Sequence, residues 1–132
     1  MSNGIYTKFK EGLMNKEYDL DTDVLKLALL SGSCYSVNLV TDTVVTPLVG
    51  CMIVSGNLSG SDITTTPGTF KATDHVFSAV TNTGSVAQIV VWHESSGDLI
   101  AYFDTDVSGA INIPVNGGDI TVDWNASGIF AL

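Results

Sequence analysis

Arginine is absent from the sequence, and five lysines face fourteen acids, for a formal net charge of -9 over 132 residues. Nucleic-acid binding needs cations to displace the counterions of the phosphate backbone, so contact with DNA or RNA is not expected. An anionic membrane surface is disfavoured on the same ground. Lack of Arg also removes the usual fork for carboxylates and phosphates. Charged residues are scarce altogether, at 14 %, against 45 % hydrophobic residues. That balance excludes a disordered chain, which needs low hydrophobicity and high charge. No apolar run approaches the roughly 20 residues of a membrane-spanning helix. Nor does one follow a basic start, so no signal peptide is expected and synthesis is assigned to the cytoplasm.

Histidine and cysteine are rare too. Cys34 and Cys51 are too few for a disulfide framework. The favoured reading is two buried or half-buried thiols in a reducing cytosol. The alternative is one bridge across neighbouring strands. His75 and His93 each lie in a strand pattern, with no Cys or Glu at ligand spacing. A hydrogen-bonded structural histidine is the expectation for both. Asp19, Asp21 and Asp23 faintly suggest a calcium loop, but the Gly at the sixth position and the closing Glu are missing. Asp104 and Asp106 could join Asp119 around a cation, although solvated negative charge is the favoured reading. No nucleophile elbow, no Cys-His-Asn set and no Gly-rich loop with Lys occur. The expectation is therefore a non-enzymatic protein with no catalytic residue, no metal and no cofactor.

What is present is mostly β patterning behind one short helix. Asn3 can cap a helix, and Ile5, Phe9 and Leu13 then recur at four-residue steps with Tyr6 on the flank. This predicts a helix from about Gly4 to Asn15 whose apolar stripe must lie against the domain or a partner. Residues 1–17 hold three of the five lysines against two glutamates, whereas the remainder holds two lysines against twelve acids. The arm is thus near +1 and the body near -10. Lys8, Lys10 and Lys16 either solvate one helix face or dock it on something acidic, a neighbouring copy included.

The body, residues 18–132, reads as a series of short strands in one domain. Leu25, Leu27 and Leu29 share one face of a strand over Val24–Leu30. One or two strands are expected between Cys34 and Pro47, and a doubly buried strand over Leu48–Val54. Ser55–Gly68 reads as a polar loop, with a short strand at Asp62–Thr65. Phe70–Ala72 and His75–Val80 read as a pair of strands around Asp74. Ala87–His93 and Leu99–Phe103 make a hairpin through Ser95-Ser96-Gly97-Asp98. Ile111 and Ile113 mark a further strand, and Asn116-Gly117-Gly118 a turn. Ile120–Trp124 alternates strictly, and Ile129–Leu132 closes the chain. Trp92, Trp124 and Tyr102 are expected in the core because of their strand positions. About eight strands at this spacing predict a mainly β fold: an antiparallel β-sandwich or small barrel with one N-terminal α-helix.

Several of these segments carry a resemblance. Asn3-Gly4-Ile5-Tyr6-Thr7-Lys8-Phe9-Lys10-Glu11-Gly12-Leu13-Met14 resembles the opening "Ala-Ile-Tyr-Pro-Lys-Tyr-Lys-Glu-Ala-Leu" helix of a family of small tailed-bacteriophage structural proteins. Phe70–Val76 is similar to their "Phe-Asp-Ala-x-Asp-Val" segment, and Leu99-Ile100-Ala101-Tyr102-Phe103-Asp104-Thr105 to their "Leu-Ile-Ala-Tyr-Ile-Asp-Thr". Asn116–Trp124 and Ile129–Leu132 are similar to their closing lines. Thr7 replaces the usual Pro, and residues 31–68 depart from the pattern. The resemblance implies a virion protein. Its first expected role is capsid decoration (cement), with the major capsid protein and further copies of itself as partners. A homotrimer would suit the local threefold sites of a capsid. A tail, neck or head-fibre component is the second. Ile5, Tyr6, Lys8, Phe9, Lys10 and Leu13 are the residues expected to dock on the capsid exterior.

Overall fold

The computed structural model describes residues 4–17, 24–32, 34–58, 69–70, 75–81, 85–106, 109–122 and 130–131. In chain order the elements are β1 (Gly4–Ile5), α1 (Thr7–Met14), β2 (Leu25–Ser31), β3 (Met52–Asn57), β4 (Thr69–Phe70) and β5 (His75–Phe77). They continue with β6 (Ser85–His93), β7 (Leu99–Phe103), β8 (Thr105–Asp106), β9 (Gly109–Ala110), β10 (Ile113–Pro114), β11 (Ile120–Val122) and β12 (Phe130–Ala131). The fold is mainly β and antiparallel with one N-terminal helix, as the strand spacing predicts.

The principal sheet has the order β1-β7-β6-β2-β3, with β10 also paired to β6. Its centre forms where the sequence is richest in branched apolar residues. On β2, Leu25, Leu27 and Leu29 point to one face, while Ala28 and Leu30 point to the other. On β6, Ile89 and Val91 join the first face and Val90 and Trp92 the second. Both faces are therefore apolar, and both must be covered. Each fully buried Leu contributes roughly 1.5–3 kcal/mol of transfer free energy. On β7 the register slips by one residue between Leu99 and Ala101, opposite Trp92 and Val91. This bulge sends Ile100 and Ala101 to the first face, and Leu99 and Tyr102 to the second.

The first face is covered by secondary structure. β5 pairs with β11 and brings Phe77, Ile120 and Val122 onto it, and α1 adds Phe9. Thr121 between them is exposed, so β11 has one core side and one wet side. The arrangement is sandwich-like. The second face is covered by a connection instead. The segment between β2 and β3 lies over it with Tyr35, Val37, Leu39, Val45 and Leu48.

That connection differs from the expected strands. No strand occurs over 34–47; the segment makes one isolated bridge, Val44 to Asp98. Its turn is built by Asn38, whose Oδ1 accepts the N–H groups of Val40 and Thr41. Thr46–Cys51 is a 3₁₀ helix with Pro47 in its first turn, and the strand begins only at Met52. Proline presets φ for such a turn and has no N–H for a ladder. β3 is also a half-buried edge strand that runs to Asn57, not a doubly buried one. β4 pairs with β12, and β5 with β11, so the two segments flanking Asp74 do not pair with each other. The strand expected at Asp62–Thr65 lies outside the described residues.

The hairpin of β6 and β7 closes as predicted. The Gly97 N–H donates to the His93 carbonyl at 2.8 Å, and Gly97 takes the positive φ (74°) that such a loop requires. Gly117 (φ 85°) serves the Asn116 turn in the same way.

Candidate functional site

The arm expected to dock on a partner is folded onto its own body. Gly4 and Ile5 pair with Tyr102 and Ala101 on β7, so the first turn of the predicted helix is a strand. Tyr6 is extended (φ -68°, ψ 140°) and its N–H donates to the Ile100 carbonyl at 3.0 Å. The helix then runs from Thr7 without a side-chain cap; Asn3, the predicted cap, lies outside the described residues. Phe9 is fully buried and Leu13 packs against the same cluster. Glu17 N–H returns to Gly12 O at 2.8 Å, and Lys16 N–H to Leu13 O at 3.2 Å, with Lys16 at φ 61°. This closes the helix by a Schellman pairing with Lys in the usual glycine position.

These placements correct the expected docking set. Tyr6 and Phe9 have no exposed surface, and Ile5 and Leu13 are partly buried against the core. A short helix gains its stability from that burial, so its apolar stripe is not free for a partner. Lys8 is half-buried and bonded to Glu17 at 3.1 Å. Burial apart, Glu17 holds the Lys8 ammonium above its ordinary pKa through a hydrogen bond. Of the six residues, Lys10 alone is exposed. It shares the outward side of the arm with Glu11 and with Met14, which is 79 % exposed.

The most organised polar cluster lies where this arm meets the β2–β3 connection. Tyr35 donates its hydroxyl proton to Asp42 Oδ2 at 2.6 Å, so the Tyr6 hydroxyl, 2.7 Å away, must be the donor to the Tyr35 oxygen. The Asp42 carboxylate also accepts the Asn38 N–H at 2.9 Å. Beside it, Gln88 Nε2 donates to the Tyr35 carbonyl (2.6 Å) and the Tyr102 hydroxyl (2.9 Å). Tyr102 in turn reaches Asp104 Oδ2 at 3.3 Å, and its ring meets Tyr35 edge-on at 5.8 Å. Gln88 Oε1 is buried and has no partner among the described residues.

Burial raises the pKa of all three phenols above the ordinary 10.0. For Tyr35, donation to Asp42 adds to the shift. The hydroxyls therefore stay protonated and donate, Tyr35 to Asp42 and Tyr102 to Asp104. The Tyr6–Tyr35 bond and the two Gln88 bonds join different segments, so the cluster clamps the connection to the arm and the sheet.

Cys34 and Cys51 are bonded to each other as a disulfide, with Cα atoms 5.6 Å apart and a sequence separation of 17. The expectation of two free thiols is overturned. The bridge does not span paired strands either: it ties the start of the connection to the end of the 3₁₀ helix. Spacing in sequence could not disclose this, because the Asn38 turn brings the two ends together.

The other expected groups are used locally. His93 is buried, and its Nδ1 lies 2.8 Å from the Ser96 hydroxyl, which also accepts the Asp98 N–H at 3.3 Å. This closes the hairpin turn. His75 packs edge-on to Phe77 at 4.4 Å. Asp119 Oδ1 holds the N–H of Ala79, a residue at φ 49°. Among the described residues no group of three or more His, Cys, Asp or Glu could hold a metal. Asp19, Asp21, Asp23 and Trp124 lie outside the described residues. Trp92 and Tyr102 are buried, as their strand positions predict, and so offer no exposed stacking platform. No helix among the described residues is long and apolar enough to cross a membrane.

Fold and site together define a small antiparallel β protein with a cross-linked, hydrogen-bonded loop over one sheet face, a class that supports many functions. No protein-family model, no curated protein and no solved structure matches the chain.

Proposed function

We propose that this is a non-enzymatic structural protein of a tailed-bacteriophage particle, acting as a capsid decoration protein on the outer face of the major-capsid lattice. The observation that carries the reading is the sequence resemblance at both ends of the chain, above all over Leu99–Thr105 and Asn116–Trp124. Charge supports it: a body near -10 suits a particle exterior that must stay dispersed. The mechanism is mass action. A subunit that binds only the expanded lattice stabilises that lattice in proportion to its occupancy.

The docking face consistent with the folded arm is its outward side, Lys10 with Met14 and the half-buried Lys8. Truncating the arm would be an unsuitable test, because Tyr6 and Phe9 belong to the core. The test is binding of the labelled, intact protein to purified expanded capsids, with copies per particle counted. Hundreds of saturable copies, reduced at least tenfold in affinity by Lys10→Glu with Met14→Ser, support decoration. A handful of copies at a vertex or tail points to the tail, neck or head-fibre alternative. No association with any part of the particle ends the reading.

A further inference from the structure

We propose that the Cys34–Cys51 bond is a redox latch on the N-terminal arm: oxidised, it holds the connection closed over the arm, and reduced, it lets the arm lift from the sheet. The inference stands apart from the virion reading, because it needs only the contacts within one chain.

The arm is gripped from two sides. The sheet holds it through β7, by the Gly4 and Ile5 pairing and the Tyr6 N–H. The connection holds it from above. Thr7 N–H donates to Leu39 O at 2.8 Å, and the Tyr6 hydroxyl meets Tyr35. Leu39 also lies so close to Gly4 that a Cβ there would fall 2.5 Å from its Cδ1. All of these upper contacts come from residues 35–42. The later half of the connection has anchors of its own: Val45 N–H to Gly97 O, Thr43 O to Leu99 N–H, and the buried side chains of Val45 and Leu48. The earlier half has fewer. It is tied by Gln88 to the Tyr35 carbonyl, by the Asp42 network, and by the disulfide. Cys34 thus fixes the half that grips the arm to Cys51, which adjoins β3.

The bond is placed to be switched. Cys34 is exposed and Cys51 half-buried, so a thiolate from solution can reach the sulfur of Cys34. The Cα separation of 5.6 Å is ordinary for a bridge, so the closed connection accommodates the bond. Formation is thiol–disulfide exchange. The two thiols give up two protons and two electrons to a small-molecule disulfide, which leaves as two thiols. A chain made in a reducing compartment would carry the loose arm and tighten it on oxidation.

The experiment is limited trypsin cleavage of the full chain, oxidised with glutathione disulfide or reduced with dithiothreitol, with rates followed by mass spectrometry at each lysine. Lys8, Lys10 and Lys16 report the arm, and Lys26 within β2 reports the sheet. Reduction should speed arm cleavage about tenfold or more and leave Lys26 unchanged, as expected for a local opening. The Cys34→Ser/Cys51→Ser variant should cleave like the reduced protein and ignore dithiothreitol. Should that variant not fold, reduction and reoxidation of the natural chain give the same readout. Equal arm rates in both states, a parallel rise at Lys26, or thiols that stay free under glutathione disulfide each overturn the latch.

Discussion

The two faces of the principal sheet are covered by different physics. On the first face, Leu25, Leu27, Leu29 and Val91 meet Phe9, Phe77, Ile120 and Val122, all apolar and all from helix or strands. On the second face, Ala28, Leu30 and Val90 meet an irregular connection that carries Tyr35 and Asp42. An irregular segment satisfies its backbone only in part, so side chains must supply the rest. Here Asn38, Asp42 and Gln88 do so, the tyrosine hydroxyls tie those side chains together, and a covalent bond closes the segment. Burial alone suffices where the cover is regular. Where it is not, the fold adds hydrogen bonds and a cross-link worth about 3 kcal/mol for a loop of this length.

The contrast can be broken from either side. Leu27→Ala removes a fully buried side chain from the first face and should cost about 2–5 kcal/mol, read as a lower urea midpoint at unchanged slope. It should do so equally in oxidised and reduced protein. A loss below about 1 kcal/mol would mean that the first face is not close-packed. Tyr35→Phe keeps the ring but strips the second face of two hydrogen bonds and leaves the Tyr6 hydroxyl without its acceptor. The expected loss is about 1–2 kcal/mol. It should be accompanied by faster hydrogen exchange at the Thr7 amide, which bonds Leu39.

Alkali should act chiefly on the second face, where the three raised phenols lie. The Tyr6 pKa is raised in the folded protein, chiefly by burial, so the folded state keeps its proton where the unfolded chain has lost it. Stability contributed by Tyr6 is thus complete below the ordinary pKa of 10.0 and declines as pH rises above it. Tyr6 can contribute at most about 1.4 kcal/mol per pH unit to the slope, and Tyr6→Phe should remove that share while Tyr35 and Tyr102 keep theirs. A titration unaltered by that variant would place the alkaline weakness elsewhere. Smallest of all, Lys16→Gly touches neither face. It relieves a positive φ at the helix end and should raise stability by roughly 0.5–1 kcal/mol. A decrease would show that the Schellman pairing is not what ends the helix.

Much of the first face was legible in the residues. Leu25, Leu27 and Leu29 alternate, Ile120 and Val122 flank a polar Thr121, and Ser95-Ser96-Gly97-Asp98 announces a hairpin. Period-2 patterns survive folding because the pleat enforces them. The arm was legible only in part. Ile5, Phe9 and Leu13 do share a cluster, yet Ile5 reaches it from a strand, because β7 offered Gly4 and Ile5 an edge to pair with. Four-residue spacing cannot separate a helix from a strand followed by a helix. The second face was the least legible. Val and Thr enrichment over 34–47 suggested strands, but Asn38 and Pro47 turned the chain instead. Tyr35, Asp42 and Gln88 are scattered over 53 residues, and only the fold makes them neighbours. The hint was there in Cys34 beside Tyr35, with a turn-forming Asn before Cys51.

The short ladder between Gly4-Ile5 and β7 has one more consequence. An unpaired outer strand is a template on which further chains can polymerise. In this molecule Gly4 and Ile5 cover that template on β7 and put a two-residue outer strand in place of a five-residue one. Displacing them would bare β7 at Ala101 and Tyr102, and a longer bare edge is a stronger template than a short one.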